Sequence, residues 1–191
     1  SAALLSGYPQ RYFDGIASGK RSYSAIPLAA TAAGLTLAGE AEVRGGQALG
    51  ADFTNAFWRS DLAADVPVYT PREAGQRLAR AAQAHDFALF EHWITDYVGH
   101  RGSLSDGIAV MEQFDQVLAG VLDEWDLGAD LVVVTSDHGN LEDLSHRHHT
   151  YNRVPTLVLG AGRSAFDAVQ DLTGLVPAMR RALLGSRSIG D

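Results

Sequence analysis

Two apolar runs, Phe87-Ala88-Leu89-Phe90 and Leu131-Val132-Val133-Val134-Thr135, are each followed by residue types that ligate metals. Asp96 and His100 come after the first. Asp137, His138 and, beyond a polar loop, His149 come after the second. Open α/β sheets hold their active sites at the carboxyl ends of strands, so this order predicts an α/β fold with its donors gathered there. A continuous β-branched run such as 131–135 predicts a parallel strand covered on both faces, and 156–159 predicts another.

The intervening segments carry helix signals. Thr70-Pro71-Arg72-Glu73 places a capping Thr, a Pro at the first helical position and a Glu at the third, which predicts a helix running to about residue 84. Ile108, Met111, Phe114, Val117, Leu118, Val121 and Leu122 recur at threes and fours, predicting a helix over 104–125 with one buried face. Asp106, Glu112, Asp115 and Asp123 then face solvent. A strand over 2–5, a short helix over 26–33 halted by Gly34, a strand over 87–93 and a closing helix over 175–184 complete the reading. Residues 96–101 are expected as the loop after their strand, and 1–68 as the less regular part of the chain. Together these elements predict one α/β domain over 1–191, with a mostly parallel twisted sheet and helices on both faces.

Bulk properties narrow the chemistry. At 191 residues the chain can bury roughly 70% of its unfolded surface. A net charge of −8 argues against a nucleic-acid partner, whose affinity comes mostly from Lys and Arg. Bound divalent ions dominate a local field, so the same charge still permits a small phosphorylated substrate. With no cysteine, any metal site must use oxygen and imidazole nitrogen. The longest apolar stretch, 25–38, is broken by Pro27 and Gly34 and falls short of the roughly 20 residues of a membrane helix. No membrane partner is expected, and cytoplasm is the expected setting.

Asp96 and His100 are four apart and meet on one face if the segment is helical; if it is a loop, Gly99 lets the backbone fold back to join them. Asp137 and His138 are adjacent, and Gly139 permits the sharp bend that lets neighbours serve one ion. Of the closely spaced His146, His148 and His149, the first two are expected to face water. His92 is expected inside its strand as a buried, hydrogen-bonded residue. Arg101 and Arg153 are candidates for gripping phosphate oxygens, since guanidinium binds them in bidentate fashion.

Asp96-x-x-x-His100, Asp137-His138-Gly139-Asn140 and His149-Thr150-x-x-x-Val154-Pro155 together resemble the phosphoglycerate mutase and phosphopentomutase branch of the alkaline phosphatase superfamily. The resemblance runs from about Phe87 to Leu159. It implies that Asp137 and His138 bind one divalent ion and that Asp96, His100 and His149 bind a second, manganese or zinc, the two bridging a transferring phosphoryl group. The short span from Asp137 to His149 is closer to the phosphopentomutase arrangement, and Arg153 stands where phosphoglycerate mutases usually have Pro. In that family the nucleophilic Ser or Thr and another metal-binding Asp come from an early segment. Asp14 and Asp52 do not sit in the expected Asp-Gly-x-Gly setting, so the catalytic nucleophile is unassigned and the chain is expected to be a fragment. The implied activity is phosphatase or phosphomutase. The alternatives are a non-catalytic metal-binding remnant and a hydrolase of sulfate esters or phosphodiesters.

Overall fold

The computed structural model describes residues 1–185. The chain is α/β, and its described residues divide into two compact units, Ser1–Val98 with Gly102–Glu124, and Gly99–Arg101 with those from Trp125 on.

In the first unit, β1 (Ala2–Leu4) pairs in parallel with β2 (Phe87–Leu89), Ala3 opposite Ala88. Beyond β1 the backbone continues to bond: Leu49 donates to the Leu5 carbonyl at 3.0 Å and Gly7 donates to that of Leu49 at 2.8 Å. Helices α1 (Gln10–Ala17), α2 (Ala25–Ala32), α3 (Glu40–Arg44) and α4 (Ala56–Asp61) follow, short elements joined by longer connections. Leu4, Tyr8, Tyr12 and Leu37 form one apolar cluster, and Val43, Trp58 and Val66 another. Asn55 is fully buried with positive φ, and it satisfies itself by accepting from the Gly50 N–H at 2.7 Å and donating to the Pro67 carbonyl at 3.0 Å. A buried amide left unpaired would cost about 1–3 kcal/mol.

Helix α5 (Pro71–Ala82) starts with the expected capping box, Thr70 with Glu73. It packs on α7 (Leu104–Glu124), and glycines set the closeness. A Cβ on Gly75 would collide with the Val117 carbonyl oxygen, and one on Gly120 with that of Arg72. Arg72 pairs with Asp123 through two bonds of 2.7 and 2.6 Å, and Arg80 with Glu124 at 3.1 and 2.6 Å. Asp123 is therefore paired rather than simply solvated. The apolar face of α7 is also not uniformly buried: Val117 is covered, while Leu104, Ile108 and Met111 are exposed.

In the second unit, β3 (Leu131–Thr135) pairs with β4 (Thr156–Gly160) in antiparallel register, Val133 opposite Val158. The parallel, doubly covered strands read from the β-branched composition are corrected here. Leu131, Val133 and Val158 pack against Phe166, Leu175 and Ala178, the last two from α8 (Leu175–Gly185), while Leu157 is exposed. A β-branched run fits any half-buried pleated surface and does not select strand direction. No helix among the described residues is long and apolar enough to cross a membrane.

Candidate metal centre

Asp96 and His100 lie on α6 (Ile94–Arg101), a helix where a loop was expected. The segment suits a helix electrostatically: Asp96 falls in the first turn and Arg101 in the last, each complementing the helix dipole. Gly102 ends it with extended backbone, its N–H donating to the Val98 carbonyl at 2.6 Å. Helical spacing then puts Asp96 and His100 on one face. Gly99 has a use that is steric rather than conformational, because a Cβ there would occupy the space of the Asn140 Oδ1.

His149 reaches His100 from the loop between β3 and β4. Their Nε2 atoms are 3.0 Å apart. Nδ1 of His100 is 2.7 Å from the Arg147 carbonyl oxygen. A carbonyl can only accept, so this contact places a proton on Nδ1; in a neutral imidazole Nε2 then carries the lone pair, facing His149. Metal-ligating histidines characteristically show this outer anchor. Two nitrogens about 2.1 Å from one ion stand roughly 3 to 3.5 Å apart, so the observed separation suits a shared cation. Asp96 lies one turn earlier on the same helix as His100. One carboxylate and two imidazoles form a donor set suited to zinc or manganese.

The His138 ring stacks on His149, centroids 3.5 Å apart and planes 17° from parallel. Asp137 is largely exposed, its Oδ1 3.7 Å from Nε2 of His138. The turn carrying this pair is stitched to the His149 segment: Thr150 N–H donates to the Gly139 carbonyl at 2.9 Å. Asn140 is buried, its N–H donating to Glu142 Oε2 at 2.7 Å and its Nδ2 to the His148 carbonyl at 3.3 Å. Glu142 also accepts from Thr150 Oγ1 and from Asn152 Nδ2, the latter at 3.0 Å. These bonds, that from Thr150 foremost, hold its carboxyl below the usual range.

The remaining candidates are spread more widely. Arg101 and Arg153 are exposed, the former at the end of α6 and the latter on the loop before β4. His146 and His148 are exposed, and His146 lies 3.7 Å from Asp143. His92 lies beyond β2 rather than inside it. Its Nδ1 is 2.7 Å from the Ala51 carbonyl oxygen, its ring stacks on Phe53 at 4.4 Å, and burial pushes its pKa down. Glu142 and the Arg147 carbonyl were not singled out from the sequence. The only signal for Glu142 was its place two residues past Asp137-His138-Gly139-Asn140.

A family model described as the metalloenzyme superfamily matches residues 67–180. The 2,3-bisphosphoglycerate-independent phosphoglycerate mutase of Desulforudis audaxviator (strain MP104C) is 32% identical over 107 residues, covering 51% of this chain and 21% of that protein. Its counterpart from Gluconobacter oxydans (strain 621H) is 38% identical over 98 residues, 47% of this chain and 19% of that protein. That of Roseobacter denitrificans (strain ATCC 33942 / OCh 114) is 30% identical over 109 residues, 53% and 22% respectively. The chain thus spans about a fifth of the length of these relatives. No solved structure gives a significant match.

Proposed function

The chain belongs to the metalloenzyme superfamily, and from that membership we propose that it carries metal-holding machinery for phosphoryl transfer on a small phosphorylated substrate, as phosphatase or phosphomutase. The observation that carries this reading is the convergence of the His100 and His149 Nε2 atoms, with the far nitrogen of His100 anchored on a backbone carbonyl. The relatives' names, phosphoglycerate mutases, point to the same chemistry.

In this reading Asp96, His100 and His149 hold one divalent ion, manganese or zinc, and Asp137 and His138 contribute to a second. Two such ions, when bound, stabilise charge on the entering and leaving oxygens of an in-line displacement. The Asp96 and Asp137 carboxylates offset the ions' charge and the imidazoles supply neutral nitrogen. Arg101 and Arg153 would hold phosphate oxygens by paired N–H donors. The nucleophile is not assigned within residues 1–191.

Calorimetric titration of the chain with manganese or zinc tests the reading. Two ions per chain are expected, falling to one in the double variant Asp137→Asn, His138→Ala. An absence of binding by both metals would overturn it, and unchanged stoichiometry in the double variant would remove Asp137 and His138 from the ligand set. A generic aryl phosphate should be turned over barely above background by residues 1–191 alone.

A further inference from the structure

His100 is held on α6, but His138 and His149 sit outside any helix or strand, so something must aim them before an ion arrives. His149 lies in the loop between β3 and β4, where the repeating ladder ends at Thr135 opposite Thr156. Past that pair, one isolated antiparallel bridge, Gly139 with Thr150, joins the two arms. The side chain that spans those arms is Glu142. One carboxylate oxygen accepts the Asn140 N–H on the first arm, and the other accepts Thr150 Oγ1 and Asn152 Nδ2 on the second. Thr150 Oγ1 also accepts the Asn152 N–H at 3.3 Å. On the first arm Asn140 is buried against Gly99, the neighbour of His100, and its Nδ2 reaches the carbonyl next to His149.

We propose that Glu142 is a positioning residue for the metal centre, a carboxylate that fixes the His149–Asn152 segment onto the Asp137–Asn140 turn and so aims the His149 imidazole at His100. The inference deepens the metal-centre reading above and rests on it. A neutral amide cannot substitute fully: Gln would keep one acceptor oxygen but turn an N–H₂ group toward either the Asn140 N–H or the Thr150 hydroxyl. Ala would leave three donors without their acceptor. Outer residues that orient metal-bound histidines characteristically contribute ten- to a hundredfold in affinity.

The test uses the 191-residue chain with Glu142→Ala, Glu142→Gln and Thr150→Val, with Gly120→Ala as a variant strained on α7. Two readouts are taken: manganese affinity by calorimetry, and exchange of the Thr150 amide hydrogen in metal-free protein. Glu142→Ala is expected to weaken manganese binding roughly ten- to a hundredfold and to speed Thr150 exchange while the β3 amides keep their protection. Glu142→Gln should fall between it and the parent, and Gly120→Ala should lose stability without losing affinity. If Glu142→Ala does not fold, Glu142→Gln and Thr150→Val carry the same expectation. Affinity within twofold of the parent in these variants would overturn the proposal. If the parent itself binds no manganese, the metal reading fails separately; Thr150 exchange that rises in the Glu142 variants then still supports the fixed segment, and unchanged exchange overturns it.

Discussion

The α5–α7 pair and the 137–152 loop are held by opposite means. In the helix pair, backbone approaches backbone through Gly75 and Gly120, over buried Ala74 and Val117. In the loop, the ties are polar and directional, with Glu142 accepting three of them. Close packing tolerates no added volume but is indifferent to protonation or metal; a hydrogen-bonded loop tolerates volume but depends on each donor and acceptor. The first kind of region serves stability and the second serves a site, because polar side chains present lone pairs to a cation and apolar ones cannot.

Four substitutions can sharpen or break that contrast. The largest effect is expected at the loop: His149→Ala should weaken manganese binding at the triad by more than roughly a hundredfold, beyond the range of changes to outer residues. It should also remove the share of metal-conferred stabilisation that comes from the triad ion, about 2.7 kcal/mol at a hundred times that ion's dissociation constant. Metal-dependent urea midpoints read both, and a metal-induced rise as large as the parent's would remove His149 from the ligands.

Next comes the helix pair. Gly120→Val drives a side chain into the Arg72 carbonyl and should cost about 1–3 kcal/mol of unfolding stability. The increment conferred by manganese should persist in its folded fraction; an unchanged urea midpoint would show that the helices can separate freely and would break the contrast. A smaller loss, about 1 kcal/mol, is expected from Thr70→Ala, which removes the cap from α5.

The smallest effect is a pH slope. His92 is buried, so its folded pKa lies below the ordinary 6.5. The unfolded chain then takes up this proton more readily than the folded one. The stability that His92 contributes is complete above pH about 6.5 and is lost as pH falls through the lower folded value. His92→Phe keeps a ring beside Phe53 and removes the titration, so stability should decline less steeply between pH 7 and 5 in the variant. Equal slopes would show that His92 exchanges its proton as freely folded as unfolded.

Legibility in the sequence followed the range of the interaction. The capping box at Thr70, the periodicity of α7 and the β-branched run of β3 are local patterns, and each lies where it was expected. Asp96 and His100 were also legible as a pair, because four residues is a helical repeat, although the segment was expected as a loop with a helix as the alternative. The family resemblance rested on short motifs and is borne out by the match over residues 67–180. The direction in which β3 pairs, the exposure of Leu104 and Ile108, and the acceptor role of Glu142 were not legible.

The sequence by itself determined which chemistry is possible here: oxygen and imidazole donors, no thiolate, and helices and strands with the right periods. Only the tertiary structure decided which donors meet. Strand direction depends on which distant segment offers free N–H and C=O groups, and a glycine's purpose depends on what is pressed against it. Gly99 reads in the sequence as freedom to bend; in the fold it is space for Asn140. Glu142 carries no signal of its own in the sequence, and becomes the acceptor for three donors only once the loop has folded back on its turn.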